Sequence, residues 1–315
     1  MDYDAARAQF LAAAESSQSA PQRLRAAMAS NRFLRRGFDD TYGRMYRALY
    51  SSRRVRRRVA PYLDRSRDIS FSPTGTGFSQ DAEVAMLAKL GAVRGQEVLL
   101  IGVEYAGEVA QLWGPHRPKQ IIGIDIGDYE AGWVEHNRTK ASSKLPLSFI
   151  KMDAAHIGLK DGTVDLVYSQ GVVPHIVDVP SFLADAERVL RPGGIFYAFC
   201  CPLWHTFGGS HVHALGYDHL RLPESELLQR AKALQDGSYW WLEQALFNKL
   251  RFRELLEMIE ARFEILRVGV IEAPDGRLVR DEKPAEWRDL LRDHDEEDLL
   301  IRLVSFTGRR RTTTT

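Results

Sequence analysis

Two short runs, Glu97-Val-Leu-Leu-Ile-Gly102 and Ile121-Ile-Gly-Ile-Asp125, decide how this chain folds. Neither alternates polar with apolar residues, as a strand with one wet face would, so each reads as a strand buried on both sides. Similar runs recur at 147–152, 164–169 and 195–201, and the stretches between them are long enough for helices. That alternation predicts an α/β fold: a mostly parallel sheet with helices on both faces.

Outward from this core the rhythm changes. Residues 1–80 carry Ala, Leu, Tyr and Arg at helical spacing, broken near Ser19 to Pro21 and Phe38 to Thr41, and read as an N-terminal helical cap region. Between Arg23 and Arg58 twelve arginines meet only Asp39 and Asp40, which predicts one basic face: either solvated surface or a receiver for an anionic or lipid-linked substrate. The connector 69–80 is rich in Gly, Ser and Thr, and the main domain is expected over 81–308. Within it, 202–243 is rich in His, Gly and aromatic residues and reads as a lid inserted over the sheet's carboxyl edge. A helix over 247–261, a strand over 263–271, a helical excursion over 284–298 and a final strand over 299–307 follow, with a basic polar tail at 309–315.

Composition narrows the class. The 43 basic and 42 acidic side chains nearly cancel, against a protein-wide field for nucleic acid, and no aromatic-interleaved basic groove suggests it locally. The two cysteines, Cys200 and Cys201, are adjacent, where a mutual disulfide would be strained and no metal spacing exists. No run approaches the roughly 20 apolar residues of a membrane span, and a cytoplasmic protein is expected. A homodimer is left open.

In such sheets ligands bind beyond the carboxyl ends of the strands, so the residues ending each strand carry the chemistry. Gly102 permits a tight turn and close ligand approach. Asp125 ends the second strand about 20 residues later, where an acid accepts both hydroxyls of a ribose. The third strand ends in Lys151-Met-Asp153-Ala154, and the fourth delivers Gln170 and Gly171. A nicotinamide dehydrogenase would use the same glycine turn and acid. Each acid could also serve only as a helix N-cap.

Beyond these tips, Leu159-Lys-Asp-Gly-Thr-Val-Asp-Leu-Val, Ser169-Gln-Gly-Val-Val-Pro-His175-Ile-Val-Asp178 and Ala186-Glu-Arg-Val-Leu-Arg-Pro-Gly-Gly194 follow in order. Together with Asp125 and Met152-Asp153-Ala154, they resemble the class I S-adenosylmethionine-dependent methyltransferases, type 11 subgroup, over about 81–307. The resemblance implies a Rossmann-like sheet of seven strands with the last antiparallel, and S-adenosyl-L-methionine as cofactor. It implies that Gly102 and Gly107 line the methionine end, Asp125 holds the ribose with Ile126 beside it among the cofactor-binding residues, Asp153 and Ala154 meet the adenine, and Gln170 lies beside the sulfonium. The glycine loop departs from the family: Leu100 replaces an acid, and Glu104 and Tyr105 stand among the expected glycines. Glu104 could meet the cofactor's amino group instead, or the loop could mark a binding or regulatory protein that has kept the fold without the activity.

Methyl transfer to a hydroxyl needs alignment and a proton acceptor, for which a histidine titrating near neutrality is suited. Candidates are His205 and His211 in the lid and His175 after the fourth strand, each with substrate-binding or purely structural roles as rivals. His-x-His at 211–213 lacks a clear third ligand, so no metal is expected. The sequence therefore predicts a biosynthetic methyltransferase, an O-methyltransferase with nitrogen as the secondary acceptor, acting on a small molecule or glycan.

Overall fold

The computed structural model describes residues 80–104, 109–134, 145–234 and 239–312. The cap region before Gln80 and Gly107 of the glycine loop lie outside these residues.

Seven strands form one sheet: β1 (Glu97–Ile101), β2 (Gln120–Asp125), β3 (Leu147–Lys151), β4 (Val164–Gln170), β5 (Leu190–Cys200), β6 (Phe263–Glu272) and β7 (Ile301–Arg310). Their order is β3-β2-β1-β4-β5-β7-β6, with β1 to β5 parallel and β7 antiparallel to both β5 and β6. The order in which successive strands are added reverses at β1, between β2 and β4, and this switch point puts the predicted site at the carboxyl tips of β1, β2 and β4.

The nine helices among the described residues are α1 (Gln80–Lys89), α2 (Val109–Trp113), α3 (Val179–Val189), α4 (Glu224–Ala233), α5 (Trp240–Glu243), α6 (Phe252–Glu260), α7 (Pro274–Glu282), α8 (Pro284–Leu290) and α9 (Glu296–Leu300). Alternate strand residues divide between two cores, as a pleated sheet requires. On one face Leu99, Ile101, Ile124, Val167 and Phe196 pack on Phe182 and Leu183 of α3 and on Phe252 and Ile259 of α6. On the other Val98, Leu100, Ile121, Leu166, Tyr168 and Tyr197 pack on Val84, Leu87 and Trp113. Helix α3 buries Val179, Phe182, Leu183, Ala186 and Val189, a single stripe of period 3.6, and Asp178 caps it by accepting from Ser181 N at 3.0 Å.

Several boundaries differ from the sequence reading. Arg191-Pro-Gly-Gly194 is part of β5 rather than a turn before it: Leu190 pairs with Val164 and Ile195 with Leu166, so the segment bulges out of register. Arg191 there grips Glu97 at 2.8 Å and Asp165 at 2.7 Å, fastening β1, β4 and β5 at their amino ends. The helix expected from Phe247 starts at Phe252, where Asp298, almost fully buried, accepts from the Phe252 amide at 3.1 Å and from Arg251 Nη1 at 2.9 Å. The excursion at 284–298 is three helices, α7 to α9, beginning at Pro274. The expected tail is strand as far as Arg310, and Arg311 donates to the carbonyls of Glu260 and Ala261 at the end of α6, where cations satisfy otherwise orphaned acceptors.

The described part of the expected lid, 202–234 and 239–243, packs against the rest of the domain. Tyr217 joins Val279, Trp287, Leu290, Leu299 and Leu300 in a core of their own, and its hydroxyl donates to Leu299 O at 2.6 Å. Its first turn is so tight that a Cβ on Gly209 would stand 2.0 Å from the Trp204 carbonyl oxygen.

Candidate functional site

Two groups of side chains meet at the carboxyl edge of the sheet. The first is a rim of strand ends. Gly102 has φ +74°, and a Cβ on it would come within 2.1 Å of the Val172 side chain, so only glycine lets the tips of β1 and β4 touch. Asp125 is 8% exposed; its Oδ1 accepts from Gly127 N and its Oδ2 from Glu104 N, both at 2.9 Å. The first bond is an Asx turn within β2's own exit, and the second holds the irregular loop after β1. Glu104 is in the left-handed region at φ +44°, and its carbonyl accepts from Trp133 Nε1 at 2.5 Å. The loop's missing glycines are therefore compensated by a carboxylate and an indole. Trp133 was not found by sequence reasoning, because nothing local marks it.

Asp153 repeats the Asx turn at the end of β3, accepting from Ala155 N at 2.9 Å, while Ala154 is buried beside it. Met152 N donates to the Asp125 carbonyl at 2.7 Å, joining the two tips. Between the acids, Ile126 leaves 63% of its surface exposed. Gln170 is held from the inner side, its Oε1 accepting from the Tyr168 hydroxyl at 2.9 Å and from Gln80 Nε2. Burial raises the Tyr168 phenol's pKa, so this hydroxyl stays a donor. The donor set fits an adenosine: an acid for a ribose diol, an apolar side chain for a ring face and a second acid for an exocyclic amine, in that order across β2 and β3.

The second group is a wall of imidazole and aromatic rings. His175, in a 3-10 turn after β4, stacks on Trp241 with centroids 4.6 Å apart and lies 5.0 Å from His211 and 5.4 Å from Phe247. His211 closes the cluster at 4.9 Å from Trp241 and 5.2 Å from Phe247. The structure thus brings His175 and His211 together. His205 is not with them: it lies 5.4 Å from His294, and its Nε2 donates to Lys249 O at 3.0 Å.

Burial penalises an imidazolium throughout this wall. It lowers the pKa of His175 and His205, and lowers that of His211 to about 3, with His175 adding to the effect there. The expectation of a lid histidine titrating near neutrality is therefore corrected: these rings stay neutral at ordinary pH. Nε2 of His211 and Nδ1 of His205 are buried with no hydrogen-bond partner.

One residue absent from the candidate list organises this wall. Asn248 donates through Nδ2 to the carbonyls of Val173 at 2.6 Å and Ile176 at 3.0 Å, and its amide donates to Pro174 O at 3.0 Å. Among the described residues no group of three or more His, Cys, Asp or Glu side chains could hold a metal, and no helix is long and apolar enough to cross a membrane.

Residues 99–198 match the type 11 family described as a methyltransferase domain. A sterol 24-C-methyltransferase of Schizosaccharomyces pombe is 26% identical over 128 residues, 39% of this chain and 33% of that protein. A 37.1 kDa protein of a Streptomyces fradiae transposon is 31% identical over 121 residues, 38% of this chain and 34% of that one. The chain spans about a third of the length of the curated relatives it matches. Among solved structures, an S-adenosylmethionine-dependent methyltransferase from Mesorhizobium loti superposes with a TM-score of 0.46 at 16% identity, covering 74% of this chain and 100% of that one. The family match agrees with the resemblance read from the sequence, and with S-adenosyl-L-methionine as the cofactor.

Proposed function

We propose that the chain, whose residues 99–198 are a class I methyltransferase domain of type 11, transfers the methyl group of S-adenosylmethionine to a hydroxyl oxygen of a small molecule or glycan. The observation that carries this reading is that the carboxyl edge of one sheet carries two unlike surfaces, the carboxylate rim of Asp125 and Asp153 after β2 and β3 and the neutral histidine pair His175 and His211 after β4 and β5. When bound, the cofactor supplies an electrophilic methyl on a sulfonium. Asp125 would hold its ribose, Ile126 and Ala154 the adenine face and Asp153 the exocyclic amine, with Gln170 and Gly102 closing the methionine side.

The remaining task is positional and protic. As the carbon–oxygen bond forms, the acceptor's O–H becomes a far stronger acid than an imidazolium, so even a base weakened by burial can take the proton. The His175 and His211 pair supplies neutral rings for this. Trp241 and Phe247 would keep water from the reacting methyl.

A second reading, transfer to carbon, is favoured by the sterol 24-C-methyltransferases among the relatives. Both readings expect S-adenosylhomocysteine to raise the melting temperature, since it binds the folded state. No shift at saturating ligand would overturn both. Incubation with methyl-labelled cofactor and a panel of alcohols, phenols, sugars and alkenes, with products identified by mass spectrometry and NMR, separates them. An O-methyl product supports the first, and a C-methyl product with no O-methyl product overturns it.

A further inference from the structure

A carbonyl oxygen accepts hydrogen bonds and never donates, so any ring nitrogen in contact with one must carry the proton. His175 Nδ1 lies 2.6 Å from the Leu246 carbonyl oxygen. With the ring held neutral by burial, Nδ1–H leaves Nε2 as a bare lone pair. His205 and His219 have the opposite arrangement, their Nε2 atoms facing the carbonyls of Lys249 and Trp204. The bare Nδ1 of His205 is sealed in the interior, as is Nε2 of His211, whereas the His175 ring belongs to a residue that is only half-buried.

The contact that sets this proton spans 71 residues and is maintained by the strap 245–249. Ala245 and Lys249 both adopt left-handed backbone, at φ +51° and +55°, conformations that cost energy in a residue with a Cβ. Between them Leu246 presents its carbonyl to His175, and Asn248 makes three bonds to the turn that carries His175, to Val173, Pro174 and Ile176. Asn248 Oδ1 accepts from Leu250 N at 3.1 Å, which fixes the amide's orientation and leaves Nδ2 facing the turn.

We propose that Asn248 is a positioning residue that docks the strap 245–249 onto the turn 173–176, so that Leu246 fixes His175 in the Nδ1–H tautomer and Nε2 becomes the atom that accepts the substrate's proton. The chemistry rests on the methyl-transfer reading above, and the tautomer does not. His211 then acts as a neutral ring that packs on His175 and keeps it from tilting, while the proton goes to its neighbour.

Nitrogen-15 NMR of the full chain labelled at histidine reads the tautomer directly, with His175→Gln assigning the signal. The expected result is a single Nδ1–H tautomer at His175; an Nε2–H tautomer overturns the proposal. Diethyl pyrocarbonate attacks bare, accessible imidazole nitrogens, and peptide mapping is expected to find His175 modified before His205 and His211. The reverse order overturns it. Asn248→Asp keeps the size and the acceptor for Leu250 N but loses both Nδ2 donors, and the tautomer preference is expected to fall by about fivefold to tenfold, the worth of one net hydrogen bond. An unchanged preference in a folded variant overturns Asn248's part. If that variant does not fold, Asn248→Ser and the wild-type tautomer and modification order still decide. S-adenosylhomocysteine binding by calorimetry is expected to match wild type in the Asn248 variants. A wild-type protein that fails to bind it defeats the methyl-transfer reading while leaving the tautomer result in force.

Discussion

The rim and the wall share one edge of the sheet but are built at different ranges along the chain. Asp125 and Asp153 each bond an amide two residues ahead, so the turn and its acid are encoded together. The wall's decisive contacts cross 71 residues from His175 to Leu246 and 75 from Val173 to Asn248. Local encoding makes the rim polar and tied to its own backbone. Distant encoding lets the wall bury neutral imidazoles, at the cost of leaving ring nitrogens without partners.

The sharpest break in this comparison is Asp125→Ala. It removes the acceptor for both Glu104 N and Gly127 N at a buried site, and is expected to abolish S-adenosylhomocysteine binding and to destabilise the fold by about 3 kcal/mol. Calorimetry and urea unfolding measure the two losses; intact cofactor binding would remove Asp125 from the site.

Next is the acid response of the wall. A histidine whose folded pKa is depressed contributes stability that is complete above the unfolded value near 6.5 and is lost as pH falls toward the folded one. Between these limits the unfolded chain binds the extra proton. For His211, depressed to about 3, the window runs from about pH 6.5 down to about 3, with a slope of up to about 1.4 kcal/mol per pH unit. His211→Asn, whose side chain tolerates the left-handed backbone at φ +64°, is expected to flatten that slope in urea titrations at pH 4 to 7. An unchanged slope would mean that His211 is hydrated in solution.

The smallest effect sharpens the rim. Ile126 is mostly exposed, so Ile126→Ser is expected to change stability by less than about 0.5 kcal/mol while weakening S-adenosylhomocysteine binding by about threefold to tenfold. Equal loss in both would make Ile126 a packing residue instead.

The same difference of range explains what the sequence disclosed. Strands β1, β2, β4 and β5 were legible because burial on both faces leaves an unbroken apolar run, and Asp125 and Asp153 because an Asx turn leaves its mark within a few residues; β3, read from the same kind of run, is instead a partly exposed edge strand. The pairing of His175 with His211 was not, since both were candidates but nothing in their spacing sets them in contact. His205 looked equivalent to His211 from six residues away, yet the tight turn through Gly208 and Gly209 sends it toward His294. Asn248 fell within the helix expected from Phe247, and its role went unseen because its three partners lie more than 70 residues upstream. The late start of α6 had the same cause: its first amide is capped by Asp298, 46 residues later.

The placement of β7 between β5 and β6 sets the order in which this molecule can be made. Among the described residues β6 pairs with β7 alone, so it waits for its partner strand until residues 301–310 have been synthesised and inserted. Until then the growing chain exposes the outer edge of β5 as well, and open strand edges invite pairing with other chains. On the ribosome, the interval between emergence of Phe263 and of Arg310 is therefore the stretch of synthesis in which a chaperone would matter most.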